Sequence, residues 1–472
     1  MKKFWSGAWA ALAASAFLTA CGGGVSDDAP SAPTPVPPTP VTLQSIVVDP
    51  VSAVVALGEQ QAFAATGVYS NGSRATLTQG LTWTSGGTVA SINASTGVAT
   101  GLAAGVDGVV ATLGALSGSA QLTVSAPYQA ISAGGAHTLA LKTSGHLHAW
   151  GWNRTGQLGD GTRLDRTTPT PVGALTGWSR VAAGEFHSVA LRSDGSLWAW
   201  GFNQNGQLGL GHVADVAVPT AVGTGKDWAD VAAGKHHTVA LKQDGTLWVW
   251  GRNFSGQLGT GTRVDQPAPV QLGELTTWTA VAAGADHTVA RRSDGSLWAW
   301  GSNASGQLGD GTTTDSAEPV RVVGSNWASV SAGGAHTLAI RADGALFAWG
   351  ANALGQLGTG GTLAAREPVR IGTDSDWATV AAGGTHSAGL RVGGTLWAWG
   401  GNDQGQLGLG TQVGVPQPTQ VGVARDWVRL VAGPATTFGV RTNGLLWGWG
   451  RNAEGQQGNG QLNAVLAPAV IP

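Results

Sequence analysis

The chain has 472 residues, enough for two or three domains, yet only 11% of them are charged and the net charge is -2. Beyond the pairs Lys2-Lys3 and Arg291-Arg292 no Lys/Arg cluster occurs, so the sequence offers no run of basic residues of the kind a nucleic-acid binder uses to neutralise phosphates. One cysteine, Cys21, excludes an intrachain disulfide, and most of the 76 glycines recur at fixed places in a repeat, which marks them as turn residues rather than disorder.

Met1-Lys2-Lys3 is a basic start, and Phe4 to Leu18 is apolar with many small residues. This predicts a secretory signal peptide over residues 1–20, too short for a comfortable bilayer span. Leu18-Thr19-Ala20-Cys21 closes it and resembles the bacterial lipobox, which implies a lipid anchor on Cys21. The next residue is Gly22 rather than Asp, which by the same resemblance implies the bacterial outer membrane, periplasmic or surface-facing. Residues 21–41 are rich in proline and cannot bury a core, so they read as an extended tether.

From residue 42 to 126 short β-rich runs alternate with turn signals: Ser45 to Val48, Ala62 to Ala65, Leu81 to Thr84, Val109 to Leu113 and Ala120 to Val124, with turns at Asn71-Gly72 and Ser95-Thr96-Gly97. The expectation is a small β-sandwich with Trp83 in its core. The opening strand Leu43 to Pro50, the late hairpin Ile92 to Ala99 and the final strand Ala120 to Val124 resemble bacterial immunoglobulin-like domains of the intimin and invasin group. That resemblance implies a spacer or an adhesion module.

The remainder, residues 127–472, is repetitive. Trp150, Trp200, Trp250, Trp300, Trp349, Trp399 and Trp449 each open a Trp-Gly-x-Asn step followed by Gly-Gln, at a spacing of 50 residues with one step of 49. The second copy gives the full unit: Trp178 to Gly184, His187 to Leu191, Asp194-Gly195, Leu197 to Gly201, and a Gly-Gln-Leu-Gly loop leading to Pro219 to Val222. Asp-Gly pairs at 194, 244, 294 and 343, and their equivalents Ser144-Gly145, Gly393-Gly394 and Asn443-Gly444, read as two-residue hairpins. Four short strands per unit, with no helical period, predict a seven-bladed β-propeller behind the small immunoglobulin-like β-sandwich, an all-β chain.

These residues resemble the regulator of chromosome condensation repeat family from Tyr128 to about Val470. The resemblance implies a propeller that binds proteins. Here each unit is contiguous in the chain, unlike the eukaryotic namesake pattern in which the chain ends share a blade.

Within the unit, the indoles of Trp198-Ala199-Trp200 fall on one face of a strand and are expected to fill the gap to a neighbouring sheet. The motif Asn (Asn153, Asn203, Asn253, Asn303, Asn352, Asn402, Asn452) is expected to cap its turn through the side chain. His137, His187, His237, His287, His336 and His386 share one position, with Thr436 in the seventh copy. Each is expected to hydrogen-bond the backbone of its own blade, and no metal or other cofactor is predicted. No Gly-x-Ser-x-Gly elbow, His-Glu-x-x-His or P-loop occurs, so no catalytic residues are assigned and the reading is a non-catalytic protein.

The turn before the motif His and the Trp-Gly-x-Asn loop emerge on the same end of each sheet. Early copies place Trp152, Arg154, Glu185, Phe186, Phe202, Lys235, His236, Arg252 and Phe254 at the variable positions there; later copies carry mainly Ser, Ala and Gly. Aromatics and Arg anchor protein interfaces, so these residues form the candidate protein-binding rim. The resulting expectation is a monomeric envelope protein, anchored in the membrane through Cys21, that binds an unidentified protein as an interaction or adhesion scaffold. Two other readings follow from the family resemblance: an inhibitor of a secreted enzyme such as a β-lactamase, and an exchange-factor-like binder of a small GTPase. A light sensor like the plant relatives does not fit, because they carry Trp beside the motif His where this chain has Ala136, Phe186, His236, Asp286, Ala335 and Thr385.

Overall fold

The computed structural model describes residues 39–472, and among them every regular element is a β-strand. The expected signal peptide, Cys21 and the tether up to residue 38 lie outside the described residues.

Residues 43–125 form three small sheets around one apolar cluster. Leu43–Asp49 pairs with Ala64–Tyr69, which pairs with Arg74–Leu77. A second sheet orders Ser52–Ala56, Leu116–Ser125, Gly105–Leu113 and Thr82–Ser85, and a third orders Gln60–Ala62, Val98–Gly101 and Ala90–Ile92. Side chains alternate along Gly105–Leu113, so Val109 and Ala111 point inward and meet Ile46, Val48, Phe63, Trp83, Leu122 and Val124. Trp83 is buried as expected. Gly97 sits against it at φ +70°, where a Cβ would come within 2.7 Å of the indole. Two expectations need correction. Ala62 to Ala65 is not one strand: the chain leaves one sheet after Ala62 and joins another at Ala64, with Phe63 buried between and its N–H bonded to Gly97 O. Ser52–Ala56 was not foreseen; it runs parallel to Gln121–Ser125, and a parallel partner 69 residues away leaves no hairpin signal in the sequence.

Residues 128–470 form seven four-stranded antiparallel sheets, each contiguous in the chain. In the second sheet the strands are Trp178–Ala183, His187–Arg192, Leu197–Gly201 and Val216–Ala221. The hairpin between its second and third strands differs from the expectation. Arg192 N–H bonds Ser196 O and Gly195 N–H bonds Arg192 O, which makes a three-residue loop with a bulge at Gly195. Only the glycine takes a positive φ (+78°); Asp194 instead accepts from Ser196 N–H and Oγ–H through its carboxylate. The Asn of each Trp-Gly-x-Asn step does clamp its loop. Asn203 Oδ1 accepts Leu208 N–H at 2.9 Å while Nδ2 donates to His212 O and Ala214 O, and the side chain is fully buried.

The sheets pack face to face. Leu139, Leu141, Leu147, Leu158 and Val172 of the first sheet meet Trp178, Ala190 and Trp200 of the second. Trp178 meets both Trp198 and Trp200 at 6.1 Å, edge-on and tilted. Trp200 is entirely buried and its Nε1 donates to Gln157 O of the preceding sheet at 2.9 Å. A buried indole of this size removes enough apolar area for roughly 3 kcal/mol, and its N–H keeps a partner.

The motif histidines bridge sheets rather than bonding their own. His187 Nε2 lies 3.0 Å from Thr238 Oγ1 of the third sheet, and the same pairing links His137 to Ser188, His237 to Thr288, His287 to Thr337, His336 to Ser387 and His386 to Thr437. The expectation of a bond within the histidine's own sheet is therefore wrong. Glycine supplies the reason: Gly184 leaves room for the His187 ring, whose Cε1 would lie 2.1 Å from any Cβ there, so the ring lies flat and reaches across.

The seventh sheet packs on the first. Phe438, Val440, Leu446 and Ile471 cluster with Tyr128, Ile131 and Trp150. Trp150 Nε1 and Thr138 Oγ1 both donate to Gln456 O, and Tyr128 N–H bonds Gly444 O. The array closes by packing and hydrogen bonds between complete sheets, with no strand shared.

Candidate functional site

In each sheet the variable residue of Trp-Gly-x-Asn is tied to the residue before the motif His by a backbone hydrogen bond. Phe202 N–H bonds Phe186 O at 2.9 Å, Trp152 N–H bonds Ala136 O and Arg252 N–H bonds His236 O. Gly201 makes the approach possible: at φ +101° it brings the loops so close that a Cβ would lie 2.7 Å from Phe186 O. Both loops therefore present their side chains on one end of the sheet.

Along that end, side chains from successive sheets form a continuous row. Trp152 meets Phe186 at 4.9 Å, Phe186 meets Phe202 at 6.5 Å edge-on, and Phe202 meets His236 at 5.9 Å. These four are half-buried, neither sealed in the core nor fully exposed. Just inside the row, Glu185 Oε2 lies 3.3 Å from Lys235 Nζ and 3.7 Å from His236 Nε2. Burial pushes the His236 pKa down; the Glu185 carboxylate opposes this, and Lys235 and Arg252 add to it. Arg252 lies over the Phe254 ring at 5.8 Å.

Of the expected rim residues outside the row, Phe254 and Arg154 make no contact with it among the described residues. Phe254 is 71% exposed and makes no ring contact with Phe202 or His236. Arg154 is exposed, and among the described residues its side chain enters no ion pair or ring contact. Two arginines that the sequence reading passed over belong beside them. Arg163 Nη1 donates to Arg154 O and Arg263 Nη1 donates to Phe254 O, each from nine residues downstream. Their shared register in the first and third copies was the available signal. In the later sheets the row positions hold Ser302, Ala335, Ala351, Thr385 and Gly401, and no aromatic row forms.

The innermost strands enclose a cavity of about 420 Å³ lined by Ala and Gly, with Glu185 and Lys235 among its lining residues. Backbone bonds run round its rim, including Glu185 N–H to Lys235 O and Lys235 N–H to Ala285 O. Among the described residues no group of three His, Cys, Asp or Glu side chains is placed to hold a metal ion.

The sequence profile of the RCC1-like domain matches residues 19–330 and 223–472. The chain belongs to the RCC1-like domain family. Yeast RCC1 (Prp20) is among the solved structures with a similar fold. The crystal structure of human WBSCR16 superposes with a TM-score of 0.64 at 23% identity, over 69% of this chain and 94% of that one. Prp20p from Saccharomyces cerevisiae, described together with its binding to Gsp1p and histones, superposes with a TM-score of 0.59 at 25% identity, over 65% of this chain and 80% of that one. Two sequence relatives match short stretches. Ice-binding protein 1 of Shewanella frigidimarina is 40% identical over 83 residues, 18% of this chain and 9% of that protein. The ultraviolet-B receptor UVR8 of Arabidopsis thaliana is 50% identical over 42 residues, 9% of this chain and 10% of that protein. The chain thus spans about a tenth of the length of these relatives. The loops described above are where the seven copies of this chain differ in residue type.

Proposed function

We propose that this RCC1-like protein is a non-catalytic interaction scaffold whose rim over the first three sheets binds another protein. In this reading the seven sheets are the blades of a closed propeller, residues 42–126 are an immunoglobulin-like spacer, and residues 21–41 tether both to a lipid anchor on Cys21 in the outer membrane. The observation that carries the binding assignment is the Trp152–Phe186–Phe202–His236 row. Partly exposed aromatics in mutual contact are rigid, lose little entropy on binding, and supply the large contact area typical of interface anchors. Their restriction to three of the seven sheets argues against a role in holding the fold, since the sheets that lack them pack alike.

The test is recovery of crosslinked species from envelope extract by the full chain and by the Trp152→Ala/Phe202→Ala/Phe254→Ala variant. The wild type should retain a species that the variant loses; equal recovery would count against the rim. Detergent partitioning of the wild type against Cys21→Ser tests the anchor separately. The likeness to Prp20p favours a second reading, in which the bound protein is a small GTPase and the rim acts as an exchange factor does. Inhibition of a secreted enzyme is the third, and the same aromatic row supports it.

A further inference from the structure

We propose that the closed array opens first at one defined place, the seam between the seventh and first sheets, which acts as a built-in gate. The junctions between sheets are made of equivalent positions, so the seam can be compared with the other six. At those six a motif histidine reaches the hydroxyl of the next sheet. At the seam Thr436 takes the place of the histidine, and Thr138 Oγ1 only donates to Gln456 O. At the same six junctions a backbone N–H in the turn before the histidine bonds a carbonyl of the next sheet, as Glu185 N–H does to Lys235 O and Gly384 N–H to Pro434 O. The seventh turn holds Pro434 in that position, which accepts a bond but has no N–H to give to the first sheet.

Packing changes in the same direction. Leu158, Leu208 and their counterparts are fully buried and pack against indoles of the next sheet. The seam has Gln457 at that position, just as buried. Its Nε2 turns back to Trp449 O and Arg451 O of its own sheet, and its Oε1 has no hydrogen-bond partner among the described residues. Gly448 makes room for this amide, since a Cβ there would lie 2.4 Å from Gln457 Oε1; the other sheets carry Ala or Val at that position. A missing bridge and a buried oxygen without a partner both weaken the closed seam relative to its neighbours. Apolar contact among Tyr128, Ile131, Trp150, Phe438 and Ile471 still shuts it, so the closed form is favoured and the least costly opening lies here. Such an opening reaches the wall of the central cavity without breaking a strand pair, because no sheet is shared across the seam. The acceptor for a seventh bridge is already in place. Thr238 accepts from His187 while donating to Gln207 O, and Thr138 donates to Gln456 O in the same way. Gly433 keeps the slot that Gly184 leaves for the His187 ring: a Cβ on Gly433 would lie 2.5 Å from Thr436 Oγ1.

Exchange of indole N–H groups with solvent deuterium, followed by NMR on the full chain, reads each junction separately. The seven motif indoles are all fully buried, and each Nε1 donates across one junction to a Gln carbonyl of the preceding sheet. Single Trp→Phe substitutions assign the signals. Trp150 Nε1–H, which crosses the seam, should exchange about tenfold or more faster than the others. Thr436→His should slow it by a similar factor, and Gln457→Leu should slow it too, while the remaining indoles keep their rates. Thr436→Ala should give no slowing. Near-ultraviolet circular dichroism of each variant checks that the fold is kept. A Trp150 rate equal to that of the other motif indoles overturns the gate. If Trp150 is the fastest but neither Thr436→His nor Gln457→Leu slows it, the origin assigned to the gate in these residues is overturned.

Discussion

The imidazole of His187 donates its Nε2–H to the Thr238 hydroxyl of the next sheet, 3.0 Å away. The direction is fixed by the rest of the network. Thr238 Oγ1 donates its own hydrogen to Gln207 O at 2.8 Å, so it can only accept from the ring. Gln207 O in turn receives Trp250 Nε1 at 2.9 Å. Histidine, hydroxyl, carbonyl and indole thus form one buried relay across six of the seven junctions, and burial keeps the imidazole neutral, since its Nδ1 has no partner among the described residues to support a second proton.

A pH dependence follows. Burial pushes the pKa values of His137, His237 and His336 down to about 3 and those of His287 and His386 to about 4, with His187 also well below the ordinary value. The unfolded chain binds these protons near pH 6.5 and the folded chain does not, so stability is complete above that pH. It falls as pH drops from about 6.5 to about 3, by up to roughly 1.4 kcal/mol per pH unit for each histidine. The exposed Asp194 carboxylate, held down to about 2 by the Ser196 hydrogen bonds, contributes with the same sign but in a lower window. Thermal midpoints at pH 7.5, 6, 5 and 4 should decline steeply from the second value on; a flat profile down to pH 4 would contradict neutral bridging histidines.

Removing the acceptor tests the same relay. Thr238→Val keeps the shape but leaves the fully buried His187 Nε2–H without a partner, at a cost of about 1–3 kcal/mol. Thr138 is the informative control. Thr436 replaces histidine in the seventh sheet, so Thr138 only donates to Gln456 O, which keeps Trp150. Thr138→Val should cost about 1 kcal/mol less than Thr238→Val in urea unfolding. Equal losses would mean that the histidine bond contributes nothing.

Two glycines separate backbone strain from packing. Gly209 and Gly223 both have positive φ, +71° and +66°. A Cβ on Gly223 meets nothing within 4 Å, whereas one on Gly209 lies 2.8 Å from Trp250 Nε1. Gly223→Ala should therefore lose only the conformational cost, about 1 kcal/mol, and Gly209→Ala about 2–3 kcal/mol more through displacement of the indole. Denaturant midpoints of the two variants give the difference directly, and equal midpoints would show that the indole yields without cost.

Much of this architecture is readable from the chain because each repeated residue has a local task. Asn203 bonds within ten or so residues of itself, and the two variable rim positions share a sheet, so spacing alone locates them. What spacing does not show is a bond whose partner lies in another copy. The histidine position recurs every 50 or so residues, and the hydroxyl that it meets stands 51 residues downstream of His187, one sheet on. The sequence offers the hydroxyl's existence but no reason to pair it. Asp194-Gly195 was likewise misread by one residue, since the carboxylate's bond to Ser196 stabilises a longer loop than the dipeptide suggests. Phe254 falls outside the aromatic row because its position follows the clamped Asn, where the loop turns the side chain to solvent.

The rim itself is tested most directly by site-specific photocrosslinking in the envelope. A photoreactive phenylalanine analogue is placed at Phe202, in the middle of the row, and separately at Ala351, the equivalent position on the fifth sheet. A discrete protein adduct at Phe202 and none at Ala351 is the expected result. Adducts of the same protein at both positions, or at neither, would contradict a binding surface confined to the first three sheets.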